Sequence, residues 1–225
     1  MSRVQVQDKQ CSIYLAPQKE PKKRCQLNSN VMFKRQAMEI TLLRHGKPII
    51  PSLNKLSASE FYEWVHEYNA SGLCPSSMPT TKAINCANAC NAVVCSDLPR
   101  SIESAKALNA DKIVLSNTIF NEAGLPIANW RTLKLSPKIW AVAFRVLWLL
   151  GYSRNSESFK EAKIRATEAV KRLKEIANEH ERVLFVGHGV YNRILANELR
   201  RSGWSGPKNP GSNHWSFGVY ECKKT

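Results

Sequence analysis

Two tetrapeptides far apart in the chain carry the residues best suited to chemistry, Leu43-Arg44-His45-Gly46 and Val186-Gly187-His188-Gly189. Each sets a histidine beside glycine at the carboxyl end of a short apolar run. Where those runs are parallel strands, both imidazoles lie on the edge of the sheet at which open α/β folds bind ligands. A third apolar run ends at Cys95, and Arg100 follows in the first turns of a helix. One sheet edge can therefore collect His45, His188, Arg44 and Arg100. That set suits a phosphoryl group. Guanidinium forks bind phosphate oxygens through paired, charged hydrogen bonds, and helix starts add backbone N–H donors. Gly46 and Gly189 let the backbone come close to a ligand. One neutral imidazole can attack phosphorus while a second, protonated one holds the developing negative charge. Intrinsic pKa values near neutrality permit that division of roles where the two surroundings differ.

The elements that must position these groups alternate. Ile40–Leu43, Ala92–Cys95, Lys112–Leu115, Arg182–Val186 and Trp215–Glu221 read as strands. Ser57–Tyr68 reads as a helix, with Ser57 and Glu60 in capping-box positions and Phe61, Trp64, Val65 and Tyr68 at helical spacing. Ser96 is placed to cap the next helix, where Pro99 fits the first turn and Ile102, Ala105 and Leu108 face inward. Pro137–Leu150 is a helix apolar nearly all round, ended by Gly151. Ser158–Asn178 carries its apolar stripe on Phe159, Ala162, Ala166, Ala169, Leu173 and Ile176. Gly189–Arg201 is the last helix, stopped by Gly203. Such alternation predicts an α/β fold, a three-layer α/β/α sandwich around a mostly parallel central sheet.

Composition bounds the rest. The 225 residues, 43% of them apolar, fit one domain with additions. No run of about 18 apolar residues is present, so no conventional membrane-spanning helix is expected. Lys and Arg number 33 against 18 Asp and Glu, a net +15. Such a field attracts anions without choosing among phosphorylated metabolites, nucleic acid and anionic lipid. Residues 1–37 contain the cluster Lys22, Lys23 and Arg24 but no apolar periodicity, and read as a basic, disordered tail. Met38 stands just before the first strand; a start there would make the tail an artefact, and otherwise it is an electrostatic tether or a weak targeting sequence. Seven scattered cysteines without a secretory signal point to free thiols and a cytoplasmic setting. The spacing of Cys86, Cys90 and Cys95 matches no zinc motif, and no metal site or cofactor is expected. Arg200, Arg201, Trp204, Lys208 and His214 make a basic, aromatic C-terminal region, read as a solvated loop in preference to a nucleic-acid face because no recognised motif accompanies it. His66 and His180 fall on helix surfaces.

The ordered set resembles the histidine phosphatase superfamily, also called phosphoglycerate-mutase-like. The resemblance runs from about Glu39 to Glu221. It is carried by Leu43-Arg44-His45-Gly46, Ser96-Asp97-Leu98-Pro99-Arg100-Ser101 through Ser104-Ala105, Glu122 in Phe120-Asn121-Glu122-Ala123, and Gly187-His188-Gly189. It implies that His45 is the nucleophile and forms a phosphohistidine. Arg44, Arg100 and His188 would line the phosphate pocket, and Glu122 would protonate the leaving oxygen before water releases phosphate. Glu103 and Asp97 are rivals for that proton on sequence grounds. Lys47 departs from the family's usual Glu or Thr, and is either a further substrate contact or a solvated side chain. Residues of about 125–156 would form a lid-like insertion that selects the substrate. Trp130, Trp140 and Trp148 there make an apolar lid, an ordinary packed helix, or a membrane-surface or dimer contact. The implied activity is metal-independent hydrolysis of a phosphomonoester, small molecule or phosphoprotein. A phosphate-shifting mutase and a non-catalytic phosphate-dependent binding module stay open as alternatives.

Overall fold

A computed structural model describes residues 37–52, 54–129, 131 and 133–223. Nearly all of the basic segment 1–37 lies outside the described residues, as does Trp130 of the expected lid. Five strands form one sheet: β1 (Met38–Arg44), β2 (Ala92–Cys95), β3 (Ile113–Ser116), β4 (Arg182–Gly187) and β5 (Phe217–Cys222). Their spatial order is β3-β2-β4-β1-β5. All pairs are parallel except the edge pair β1–β5. The six α-helices among the described residues are α1 (Ala58–Ala70), α2 (Thr81–Ala89), α3 (Pro99–Asn109), α4 (Pro137–Leu149), α5 (Phe159–His180) and α6 (Gly189–Arg201).

The central strands are short apolar runs because they are covered on both faces. Alternate residues point opposite ways. Ile40, Leu42, Val94, Val183 and Phe185 pack with Ala162, Ala166, Ala169, Leu173 of α5 and Leu195, Leu199 of α6. Leu43, Val93, Leu184 and Val186 pack with Ala83, Ala87 of α2 and Ala105, Leu108 of α3. These are the two outer layers of the expected sandwich. A third, smaller cluster joins α1 to α4 through Ala58, Phe61, Trp140 and Phe144. Two capping boxes fix helix starts, Ser57 with Glu60 at α1 and Ser158 with Glu161 at α5. Each cap contributes about 1 kcal/mol.

The structure corrects the sequence reading in several places. Helix α2 was not expected: its apolar residues are small apart from Ile84, and Thr80 starts it by accepting a hydrogen bond from the Ala83 amide. Leu98, not Ser96, is the residue before α3, and no side chain caps that helix; Ser96 Oγ is engaged elsewhere, on His188. The last strand begins at Phe217. Trp215, expected within it, has φ 64° and turns its ring into the core. The C-terminal region is not a solvated loop throughout, since Trp204 and Trp215 are both buried. Within α4, Trp140 and Trp148 are buried, whereas Ile139, Val142, Val146 and Leu149 lie exposed along one side.

Candidate active site

Sheet register assembles the site. Leu43 pairs with Val186, and Cys95 pairs with the same Val186 across the other side of β4. The residues that leave these three strands are therefore level with one another. Adjacent strands lie about 4.8 Å apart, so histidines one step beyond paired positions must meet. The rings of His45 and His188 are 5.0 Å apart at 61°. Ser96, one step beyond β2, reaches His188 Nε2 at 2.6 Å. Asn192, on the first turn of α6, accepts from the His188 amide at 3.1 Å and donates to Leu43 O at 3.1 Å. It thereby ties both strand ends to one helix.

His45 Nδ1 lies 2.7 Å from Gly46 O. A carbonyl oxygen only accepts, so the ring proton belongs on Nδ1 and the lone pair on Nε2. That is the form a nucleophile needs. Burial, reinforced by the nearby Arg100, Arg44 and His214, holds His45 well below the usual imidazole range, against the opposing pull of Gly46 O. Burial does the same to His188, helped by His45, Arg100, Arg44 and Arg165. Both rings are thus neutral at pH 7 while no anion neutralises the surrounding charge.

Arg100 is 1% exposed. Its guanidinium donates to Tyr68 O at 3.2 Å and Asn69 Oδ1 at 3.3 Å, and lies 4.8 Å from the Tyr68 ring centre. Arg44 donates to Ser212 O. Among the described residues neither arginine forms an ion pair. Three buried nitrogens here lack a hydrogen-bond partner: Arg44 Nε, Arg100 Nε and His188 Nδ1. Buried polar atoms are nearly always satisfied in folded proteins, and a group of exceptions at one place marks a binding site. Two cations and two imidazoles converging without a carboxylate in ion-pair contact are matched by a multiply charged anion.

Gly46 and Gly189 have separate structural reasons. A Cβ on Gly46 would stand 2.3 Å from the Trp215 ring, so this glycine admits tryptophan rather than substrate. A Cβ on Gly189 would meet the Arg44 guanidinium at 3.4 Å, at the start of α6. Lys47 is exposed, and its charge acts on His214.

Of the three carboxylates named from sequence, Glu122 lines the cavity over the site. Asp97 and Glu103 are exposed, and Glu103 accepts from the Leu73 amide. Glu122 Oε1 accepts from the Ala123 and Tyr191 amides at 3.0 and 2.8 Å, and Oε2 from the Val190 amide at 3.1 Å. Its carboxylate thus sits on the N-terminus of α6. The sequence reading missed His214 as a site residue. Its ring lies 5.7 Å from that of His45 and lines the same cavity. Burial, then Arg44 and Lys47, push its pKa down to about 4. Ser96 and Asn192 were likewise not assigned to the site; a lone Asn four residues after His188 was the available signal. Among the described residues no group of three or more His, Cys, Asp or Glu converges as a metal site would.

The cavity has a volume of about 690 Å3. Arg44, Arg100, Glu122 and His214 form one end, and α1 and α4 supply much of the remaining wall. Among the described residues no helix is long and apolar enough to cross a membrane.

The fold has solved relatives. A structure described as mycobacterial hydrolase 1 superposes with a TM-score of 0.55 at 20% identity, covering 82% of this chain and 91% of that one. A mycobacterial glucosyl-3-phosphoglycerate phosphatase, solved in complex with VO3, gives 0.52 at 18% identity over 81% and 92%. The product of a Mycobacterium tuberculosis open reading frame gives 0.52 at 18% over 81% and 90%. No curated protein matches the sequence significantly. The model of the histidine phosphatase superfamily (branch 1) matches residues 85–224, a span that begins after His45 but includes Arg100, Glu122, His188 and His214. That match takes in more than half of the chain, and with the shared fold it places this protein in the histidine phosphatase superfamily.

Proposed function

We propose that the protein is a metal-independent phosphatase that hydrolyses a phosphomonoester through a phosphohistidine at His45. The observation that carries this reading is the trio of orphaned nitrogens, on Arg44, Arg100 and His188, around an imidazole whose Nε2 lone pair is free. In the proposed reaction the phosphate oxygens take the open donors. His45 Nε2 forms a bond to phosphorus as the ester P–O bond breaks in line. The leaving oxygen collects a proton, water then attacks the phosphohistidine, and inorganic phosphate leaves with His45 restored. Phosphoryl transfer of this kind rests on positioning and charge stabilisation, and the covalent intermediate divides one hard step into two. A phosphate-hydrolysing relative of the same fold supports the choice of reaction.

Glu122 is the proposed donor of the leaving-group proton. A specific observation favours His214 as a second candidate. Both Glu122 oxygens already accept backbone N–H bonds, so a proton on either would face a donor instead of an acceptor. His214 carries no such bonds and stands beside His45. Burial first, then the charge of Arg44 and Lys47, keeps this imidazole deprotonated, and a bound phosphate dianion offsets the second of these causes. Two experiments test the proposal. Rapid acid-free quenching with labelled substrate should trap phosphate on wild-type protein and not on His45→Ala; equal turnover by His45→Ala rejects the mechanism. For the proton, an aryl ester with a good leaving group should rescue whichever of Glu122→Gln and His214→Gln removes the donor. Failure of both variants to discriminate leaving groups removes both from that role.

A further inference from the structure

We propose that the cavity takes the phosphomonoester of an alcohol with a large apolar body, aliphatic or aromatic, in preference to a sugar or glycerol phosphate. The inference rests on the phosphate site described above and deepens that reading. Beyond Arg100 the wall is aromatic. Arg100 lies on Tyr68, Tyr68 stacks on Trp64 at 5.2 Å and 11°, and Trp64 stacks on Phe61 at 5.7 Å and 14°. Ala141 and Val142 of α4 line the cavity as well, with Leu125. The volume, about 690 Å3, is within the range of sites that enclose a ligand of many atoms and far exceeds the need of a phosphate.

Most polar groups on this wall are committed to the protein, with Lys138 at its exposed edge the charged exception. Asn69 Oδ1 accepts from Arg100, Arg145 donates to Ala123 O at 2.8 Å and Gly124 O at 3.2 Å, and Glu122 caps α6. A sugar body would bury several hydroxyls here with few partners, and each unmatched hydroxyl is costly. One buried acceptor, Asn121 Oδ1, stays open, enough for a single hydroxyl. Val142 lines the cavity and is 65% exposed. The apolar wall therefore continues outward along α4 into Ile139, Val146 and Leu149, giving a chain longer than the cavity a surface to follow.

The test uses wild-type protein and n-alkyl phosphonates, which cannot be hydrolysed, from ethyl to decyl below their aggregation concentrations. Calorimetric Kd should fall about two- to fourfold per methylene over the first several carbons, and glycerol and glucose phosphates should bind more weakly than the hexyl compound. Trp64→Ala should flatten the dependence. A Kd independent of chain length, or a sugar phosphate that binds best, overturns the inference. The matching alkyl phosphates separate the two proposals. Phosphate release that ignores chain length, with flat binding, sinks the substrate class and leaves the phosphatase standing. Graded binding without phosphate release supports the substrate class and sinks the phosphatase.

Discussion

The rim of the sheet and the α1–α4 pair line one cavity, and they are built on opposite terms. At the rim the buried side chains are polar: His45, Ser96, Arg100, His188 and Asn192. They are held by a few hydrogen bonds, such as His45 to Gly46 O and Ser96 to His188, and three nitrogens, counting Arg44, are left open. In the α1–α4 pair the buried side chains are Phe61, Trp140 and Phe144. There the indole nitrogens find partners, Trp140 Nε1 donating to Leu56 O at 2.7 Å and Trp64 Nε1 to Ser52 O at 2.7 Å, and among the described residues Ser59 Oγ is the one buried polar atom left open. The rim accepts the cost of burying uncompensated cations, which a phosphate can repay. The α1–α4 pair gains stability from ordinary apolar burial and spends its shape on selecting what accompanies the phosphate.

The largest effect that would break this contrast is at Arg100. Arg100→Ala should lower kcat/KM for an aryl phosphate about a thousandfold, since a preorganised charged donor is lost from the transition state. The same change should alter unfolding free energy by less than about 1 kcal/mol, because relief from burying a lone cation offsets the cavity left behind. Vanadate should raise the thermal midpoint of the wild type and leave that of the variant unmoved. A strongly destabilised Arg100→Ala would show that the rim is structural after all. In the α1–α4 pair, Trp140→Ala should cost about 4 kcal/mol in a urea titration, from lost burial and the lost hydrogen bond to Leu56 O, which keeps the Leu135 amide as its partner. Turnover of a small aryl phosphate by the folded variant should stay within about tenfold of wild type. A catalytic collapse with little loss of stability would reverse the assignment of the two regions.

The rim was legible in the sequence because each half of it is contiguous. A histidine that follows an apolar run is placed by the strand before it, and parallel register brings His45 to His188 without information from elsewhere. Arg100 follows in the same way from β2 and the first turn of α3. His214 was not legible. It lies in an irregular stretch without periodicity, positioned by long-range contacts: the Trp215 amide donates to Arg44 O, and Ser205 pairs with Glu221 beside β5. Ser96 was read as a helix cap because local rules see only the neighbouring helix, whereas its partner is His188, 92 residues away. Helix α2 escaped because its buried stripe is made of small residues, Ala83, Ala87 and Cys90, which give a weak periodic signal. The tryptophans of α4 suggested a lid, but a helix apolar all round does not reveal which side is buried. The structure buries Trp140 and Trp148 and exposes the aliphatic side.

Acid should expose the same contrast through stability alone. In an unfolded chain both His45 and His188 titrate near pH 6.5. In the folded protein burial and the two arginines hold them well below that. Between those limits the unfolded chain binds protons that the folded one does not, so stability is full above the unfolded pKa and is lost as pH falls beneath it. From pH 7.5 to 5.5 each buried histidine should cost about 1.4 kcal/mol. His214, whose pKa is pushed down to about 4, adds to the loss over the same interval, so His188→Gln should remove about a third of the loss measured by urea midpoints. Inorganic phosphate should shrink it, because an anion between the arginines favours the protonated rings. The segment 123–156 contains no Asp, Glu or His and adds nothing over this interval, so Trp140→Ala should be less stable at every pH yet show an unchanged slope. A slope that vanished with Trp140 and persisted in His188→Gln would place the acid sensitivity in the wrong wall of the cavity.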